Sequence, residues 1–318
     1  MSWTSSLRFS AILLIGLAAS LAAADQSTAP TTAATTLRIG YQRYGTLNIL
    51  KIHGNLDKRL ASQGITVTWL LFPAGPQLLE GLNAGSIDLG STGEAPPIFA
   101  QAAGVPVVYL AAEPPNPSAE AIIVPKDSPI TTVAQLAGRK LAFNKGSNVH
   151  YLVVKALEKA GVAYDQVPVQ FLKPADARSA FESGAVDAWA IWDPFLTAAV
   201  VATDARILSD GTDLVSNREF YLAHTGWPEA HPDVRKVVLE ELQAADDWAS
   251  KDPKAVGEAL SPDVGLPAPV LEKIARSTTR GVQPISPAIV ADQQQIADAF
   301  LKLNLIPARI DVNAIAPH

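Results

Sequence analysis

Cysteine is absent from the 318 residues of the chain, and methionine occurs once. Disulfide bonds, thiol nucleophiles and a lipid anchor on an N-terminal cysteine are therefore excluded. The five histidines are scattered, without an HExxH motif or a close cluster of His, Asp and Glu, and the chain has neither a GxSxG motif nor a P-loop. We therefore predict no catalytic residues, no metal site and no cofactor.

Positive charge is also scarce, because 25 Lys and Arg residues face 31 Asp and Glu residues. The formal net charge at pH 7 is −6. An acidic chain is repelled by phosphate backbones and by anionic lipid surfaces. We therefore expect no nucleic-acid partner and no anionic membrane surface as a partner.

Long apolar runs are confined to the N-terminal segment, which has the pattern of a secretory signal peptide. Arg8 supplies the positive charge, residues 11–19 are apolar and Ala22-Ala23-Ala24 suits a cleavage site. The apolar run is short for a membrane span. We predict a signal peptide over residues 1–24 that is cleaved near Ala24. Residues 25–36 lack hydrophobic periodicity and are predicted to form a mobile tail.

The rest of the chain repeats one plan twice. Residues 82–90 resemble residues 181–189, since both combine a helix end, a glycine, a small residue and a β-branched residue followed by Asp. A short strand followed by a helix also begins near residue 37 and again near residue 140. This internal similarity, with strands alternating with helices, predicts two α/β lobes with mainly parallel sheets.

The proline-rich stretch Glu113–Pro117 interrupts the alternation. We predict that the chain crosses between the lobes at residues 113–125 and returns at residues 215–226. Lobe 1 is then formed by residues 37–120 and 222–318, and lobe 2 by residues 121–221. Because two connections alone would link the lobes, we expect them to hinge closed over a ligand.

Two turns that end strands in corresponding parts of the lobes predict a ligand-binding cleft. Gly90–Gly93 is predicted to end a strand and to open a helix capped by Ser91 or Thr92. Lys145–Asn148 is the equivalent turn in the second lobe. Ligands bind at the C-terminal ends of strands in open α/β sheets, and free N–H groups at helix N-termini attract anions. Each turn alone is also consistent with an ordinary helix cap.

Three side chains beside these turns are further candidates. Trp192 ends a strand, where its ring would form a wall of the cleft, and Asp193 either caps the next helix or contacts ligand. His150 lies on the first turn of a predicted helix next to the cleft. A structural role is the alternative for each.

Neither turn contains an arginine. We therefore predict that N–H groups and the hydroxyls of Thr92 and Ser147 hold an anion. The alternative is an ion pair with Arg43 in the first loop, while Lys145 is either a ligand contact or a solvated surface residue.

Several motifs resemble those of the periplasmic aliphatic sulfonate-binding proteins of ABC importers, within a wider group that binds nitrate, taurine and related compounds. The motifs are Phe72-Pro73-Ala74-Gly75-Pro76-Gln77-Leu78-Leu79-Glu80, Ser86-Ile87-Asp88, Thr92-Gly93-Glu94-Ala95-Pro96-Pro97, Glu113-Pro114-Pro115, Lys145-Gly146-Ser147 and Trp192-Asp193-Pro194. The resemblance extends over residues 37–310. It implies the type II periplasmic binding fold, with two βα lobes joined by two crossings around a central cleft.

The resemblance implies a periplasmic binding protein that captures an aliphatic sulfonate and delivers it to an ABC permease, and we expect a monomer. The predicted ligand contacts are Gln42, Ser91, Thr92, Gly93, Glu94, Gly146, Ser147, Asn148, His150, Trp192 and Asp193. Two alternatives stay open. The ligand is nitrate, taurine or another small anion, or the protein is a hydrolase or lyase-like enzyme on the same fold.

Overall fold

A computed structural model describes residues 35–317 of the chain. The predicted signal peptide and most of the predicted tail lie outside the described residues. Thr35 and Thr36, which were assigned to that tail, instead begin the first strand because they pair with Ile65 and Thr66 of a neighbouring strand. Among the helices of residues 35–317, none combines the length and the hydrophobicity that a membrane span requires.

The strands of the described part follow one another in the order β1 (Thr35–Tyr41), β2 (Ile65–Leu71), β3 (Leu89–Gly93), β4 (Val107–Ala112), β5 (Glu120–Val124), β6 (Leu141–Phe143), β7 (Val169–Phe171), β8 (Ala188–Trp192), β9 (Arg206–Asp210) and β10 (Glu219–His224). The α-helices are α1 (Gly45–His53), α2 (Leu56–Ala61), α3 (Gly75–Asn83), α4 (Pro96–Ala102), α5 (Asn148–Lys159), α6 (Pro174–Glu182), α7 (Phe195–Thr203), α8 (Trp227–Ala230), α9 (Pro232–Lys251), α10 (Pro253–Val264), α11 (Ala268–Ser277) and α12 (Pro287–Lys302).

The strands form two five-stranded sheets with the same topology. The first has the order β2-β1-β3-β10-β4 and the second has the order β7-β6-β8-β5-β9. In each sheet the fourth strand runs antiparallel to its neighbours, β10 in the first and β5 in the second. The other neighbouring pairs, such as β1 with β2 and β6 with β7, are parallel. The predicted two-lobed α/β fold class is confirmed.

The chain passes between the sheets twice, through residues 113–119 and back through residues 211–218. These two crossings run side by side, because Glu113 N–H donates to Glu219 O at 2.8 Å and Asn116 N–H donates to Ser216 O at 3.0 Å. β10 belongs to the first sheet from Glu219 onward, three residues before the predicted lobe boundary at residue 222. The lobe boundaries and the hinges stay predictions.

Each sheet has its own buried core. Trp189 is fully buried in the second sheet beside Phe143 and Ile191, as expected for a core residue. The C-terminal helices cover the first sheet on both faces. Leu242 of α9 packs with Ile39 on one face, and Phe300 of α12 packs with Tyr109 on the other.

One segment that the sequence pattern predicts as a single helix is divided in the structure. The spacing of Leu47, Leu50, Leu56 and Leu60 predicts a continuous helix over residues 46–62, whereas the structure has two helices, α1 and α2, separated at Gly54. A Cβ on Gly54 would lie 2.6 Å from Leu50 O, so the chain approaches its own backbone too closely there for another residue type.

Candidate ligand-binding cleft

A cavity of about 120 Å³ lies at the C-terminal ends of strands from both sheets and beside both crossings. Its walls include the loop after β1, the end of β3, the start of α5 and the end of β8. This is the position that open α/β sheets offer to ligands. Six of the eleven predicted contact residues line it, namely Gln42, Gly93, Ser147, Asn148, Trp192 and Asp193.

The other five predicted residues lie outside the lining of this cavity. They are Ser91, Thr92, Glu94, Gly146 and His150. Ser91 and Thr92 belong to β3 and pair with Tyr221 and Phe220 of β10. They are therefore strand residues, and the prediction that one of them caps the next helix is wrong. The Thr92 hydroxyl donates to Gly93 O at 3.0 Å.

The helix after β3 offers no free N–H group in its first turn to an anion. α4 begins with Pro96 and Pro97, which have no N–H. The N–H of Ala95 donates to Asn148 Oδ1 at 3.1 Å, and the N–H of Ile98 donates to Ala95 O at 3.1 Å. The first of the two turns predicted to clamp an oxyanion therefore cannot do so through its helix N-terminus.

The N-terminus of α1 faces the same cavity and already has an anionic partner. Gly45 has a φ of 74° there, and its missing side chain allows the Glu219 carboxylate to approach. Burial raises the pKa of Glu219 to about 7, although hydrogen bonds from the Ser91 hydroxyl and Thr46 N–H favour its charged form. This helix end is therefore occupied by the protein's own carboxylate.

The start of α5 also lines the cavity, through Ser147 and Asn148. Ser147 is the N-cap, and the N–H groups of Asn148 and Val149 in the first turn have no intrahelical carbonyl partner. The Ser147 hydroxyl donates to Asn144 O at 2.7 Å, so its proton is used while its oxygen still accepts. The positive end of the helix dipole adds to the attraction for an anion at this point.

Three arginines also line the cavity, namely Arg43, Arg218 and Arg280. Arg218 donates from Nη1 to Glu113 O at 3.1 Å, and its buried Nε has no partner within residues 35–317. Arg280 donates to Ala275 O at 2.8 Å, and burial lowers its pKa. Charged donors therefore line the cavity beside the neutral ones, and the prediction that N–H groups and hydroxyls hold the anion stays a prediction. Arg218 and Arg280 belong to no sequence motif, and the fold alone brings them to the cleft.

Two carboxyl groups near Arg280 are buried, namely those of Glu113 and Asp246. Glu113 accepts from the Tyr221 hydroxyl at 2.5 Å and from Gly281 N–H at 2.8 Å, and Asp246 accepts from the Thr46 hydroxyl at 2.6 Å. Burial and the neighbouring Asp246 charge raise the pKa of Glu113 to about 9. This raised pKa favours the protonated, uncharged form of Glu113, which reduces the negative charge around the cavity.

Glu94 is buried beside the second crossing. Its Oε2 accepts from Arg218 N–H at 3.2 Å, and its backbone carbonyl accepts from Gln293 Nε2 at 2.9 Å. Burial raises the pKa of Glu94 to about 7. These bonds hold the chain between β3 and α4 against the second crossing and α12.

His150 is enclosed by aromatic rings. Its Nδ1 accepts from Gly146 N–H at 3.2 Å, so its Nε2 carries the proton and donates to the Tyr164 hydroxyl at 2.9 Å. Phe99 and Phe143 stack or tilt against the imidazole. Burial, with the nearby charge of Lys145, lowers the pKa of His150 to about 3. Both ring nitrogens are used within the fold, and the ring is neutral.

Trp192 and Asp193 form the wall contributed by the second sheet. Trp192 is 8% exposed and meets Phe195 edge-on at 6.4 Å. Asp193 Oδ1 accepts from Thr197 N–H at 2.9 Å in the first turn of α7, and burial raises its pKa. Asp193 therefore serves the helix as predicted, although Pro194 is the N-cap residue and not the first helical residue.

Helices packed on the first sheet also contribute apolar side chains to the cavity. These are Ile49 of α1, Val256 and Leu260 of α10, and Leu271 and Ile274 of α11. The lining thus combines hydrogen-bonding and positively charged groups with a hydrocarbon surface. It can hold a molecule that has an anionic head and an apolar tail.

Comparisons with known proteins agree with this architecture. A putative aliphatic sulfonates-binding protein of Escherichia coli (strain K12) is 43% identical over 304 residues, which cover 95% of this chain and 94% of the relative. The crystal structure of the periplasmic aliphatic sulphonate binding protein SsuA from Escherichia coli matches with a TM-score of 0.81 and 43% identity. It covers 90% of this chain and 93% of that chain.

A second solved structure is that of the alkanesulfonate-binding protein SsuA from Xanthomonas axonopodis pv. citri, bound to MOPS. It matches with a TM-score of 0.84 and 40% identity, and covers 90% of this chain and 99% of that chain. The family described as NMT1/THI5 like matches residues 60–256. The two five-stranded sheets, the cleft between their strand ends and these similarities together show that the chain belongs to the NMT1/THI5-like family and stands among its sulfonate-binding relatives.

Proposed function

We propose that this protein is a periplasmic solute-binding protein that captures an aliphatic sulfonate and delivers it to an ABC permease. The observation that carries the proposal is the mixed lining of the cavity. It combines the start of α5, with N–H groups that have no intrahelical partner, and the cationic Arg43 and Arg218 with apolar side chains of α10 and α11. Nitrate and sulfate have no tail that would use the apolar part.

The sulfonate oxygens accept hydrogen bonds from the N–H groups of Asn148 and Val149, and from Arg218. Hydrogen bonds to a charged group are worth roughly 1.5–3 kcal/mol each in a site from which water is excluded. Gln42, Gly93, Ser147, Trp192 and Asp193 complete the contacts. Five residues outside the cavity lining support these contacts, namely Ser91, Thr92, Glu94, Gly146 and His150.

The alkyl tail lies against Leu260 and Leu271. Each buried methylene contributes roughly 0.8 kcal/mol, so affinity should rise with the length of the tail until the cavity is full. Acting as a monomer, the protein closes by bending at residues 113–119 and 211–218, and the closed form is the one that a permease recognises. Two lobes joined by two side-by-side connections favour this hinge motion.

Isothermal titration of the purified mature protein tests the proposal. The panel comprises methanesulfonate, butanesulfonate, taurine, nitrate and sulfate. We expect butanesulfonate to bind more tightly than methanesulfonate, and nitrate and sulfate to bind weakly or not at all. Equal affinity for sulfate and butanesulfonate would contradict the role of the apolar wall.

A product assay on the same samples addresses the enzyme alternative. Butanesulfonate is incubated with the protein, and released sulfite is measured together with butanol, the product of hydrolysis, and butene, the product of elimination. Unchanged ligand with saturable binding supports a binding protein. Catalytic turnover would overturn the proposal in favour of a lyase-like enzyme.

A further inference from the structure

The Asn148 side chain connects parts of the chain that are far apart in sequence. Its Oδ1 accepts from Ala95 N–H at 3.1 Å, and its Nδ2 donates to Asn217 Oδ1 at 2.6 Å. Asn148 begins α5, which packs on the second sheet, whereas Ala95 directly follows β3 of the first sheet. The amide therefore spans the cleft between the two sheets.

The same network reaches both crossings. Asn217 lies in the second crossing, and its Nδ2 donates to the carbonyl of Asn116 in the first crossing at 2.8 Å. The Asn148 side chain, which belongs to α5 of the second sheet, thus accepts from Ala95 N–H just before α4 of the first sheet. Through Asn217 it is also linked to both crossings. These are the elements whose relative positions must change if the cleft opens.

The local sequence around Ala95 and Gly93 is adapted to this contact. Ala95 N–H is the last donor before Pro96 and Pro97, so without the Asn148 carbonyl oxygen it would be buried without a partner. Gly93 has no positive φ, yet a Cβ there would overlap the Asn148 amide. Glycine at this position therefore provides the space into which the amide fits.

We propose that Asn148 is the latch of the closed cleft: its side chain acts as a positioning residue that joins the two sheets, while its backbone N–H faces the ligand. Three observations carry this assignment, namely the two bonds of the amide, the Asn116–Asn217 link between crossings and the space at Gly93. The inference goes beyond the proposed function and does not depend on which ligand is bound.

Distances between spin labels test the latch without any ligand. The chain has no native cysteine, so Lys58→Cys on α2 and Asp176→Cys on α6 label the two bodies uniquely. We expect Asn148→Ala to shift the distance distribution toward longer and broader values than in the labelled parent. The matched control is Asn83→Ala, which replaces an exposed asparagine at the end of α3. Its distance distribution should superimpose on that of the labelled parent. A distribution for Asn148→Ala that superimposes on the parent would refute the latch.

Dissociation kinetics provide a second readout with butanesulfonate as the probe. Loss of two hydrogen bonds should accelerate dissociation roughly 5- to 150-fold and leave the association rate nearly unchanged. If no sulfonate binds even the parent, the proposed function fails, whereas the label distances still decide the latch. Should Asn148→Ala fail to fold, Asn148→Ser replaces it in both measurements.

A double-mutant comparison separates the latch from a direct ligand contact. Gly93→Ala should open the cleft in the parent, because the added methyl group displaces the Asn148 amide. In the Asn148→Ala background the same change should have little further effect on the distances, since the clash is gone. Fully additive effects would show that Gly93 does not act through Asn148, and would contradict the proposal.

Discussion

The role of the α5 N-terminus can be tested with two variants that differ by one backbone donor. Asn148→Pro deletes the N–H at the first helical position, where proline is well tolerated. Ser147 already has a φ of −85° and a ψ of 174°, which suits a residue that precedes proline. Eight α-helices of the described part already carry proline in their first turn, namely α3, α4, α6, α8, α9, α10, α11 and α12.

Asn148→Ala is the matched control because both variants lose the side-chain amide and only one loses the N–H. A hydrogen bond to an anionic oxygen is worth roughly 1.5–3 kcal/mol, so Asn148→Pro should bind butanesulfonate roughly 10- to 150-fold more weakly than Asn148→Ala. Isothermal titration gives the affinities, and thermal denaturation confirms that both variants fold. Equal affinities of the two variants would refute the role of this helix end in holding the anion.

Three further predictions concern the other walls of the cavity. Arg218→Met should weaken butanesulfonate binding by roughly tenfold or more, since it removes a charged donor, and titration at two salt concentrations separates this loss from simple screening. Leu260→Ala should weaken butanesulfonate binding clearly but leave methanesulfonate binding almost unchanged, because only the longer tail reaches α10. The third concerns pH. Because burial raises the pKa of Glu113 to about 9 and those of Glu94 and Glu219 to about 7, the folded state binds more protons than the unfolded state above the ordinary carboxyl pKa. The free energy of unfolding should therefore fall as the pH rises from 5 to 9, and urea titrations of Glu113→Gln should show a shallower fall; identical slopes would contradict the assignment.

The fold was accessible from the sequence because it rests on local patterns. Alternating strands and helices and the repeated Gly-containing helix ends before β3 and β8 predicted two similar α/β lobes. The apolar stripe from Val234 to Trp248 predicts a C-terminal helix that packs onto the first lobe, and α9 does so. The break of the first helix at Gly54 was missed, because it depends on a close backbone approach that composition does not reveal.

The cleft was predictable in part. The rule that ligands bind at the C-terminal edge of a parallel sheet predicted residues at strand ends that line the cavity, such as Gln42, Ser147 and Trp192. Arg218 and Arg280 could not be predicted in this way, since they come from a crossing and from a loop between helices. Their positions depend on how the chain returns from the second sheet to the first.

The prediction that the N–H groups at two helix starts are free agrees with the structure only in part, for a physical reason. Sequence identifies a turn that opens a helix, but not whether its N–H groups are free. Pro96 and Pro97 remove the donors of α4, and the distant Glu219 carboxylate occupies the start of α1. Both effects favour the start of α5 over those of α1 and α4 as the proposed anion site.

A crystal structure of the protein with butanesulfonate tests the central claim most directly. The account predicts the sulfonate oxygens within hydrogen-bond distance of the Asn148 and Val149 N–H groups and of Arg218, with the butyl chain against Leu260 and Leu271. A sulfonate bound instead at the start of α4, or a tail that points away from α10 and α11, would contradict it.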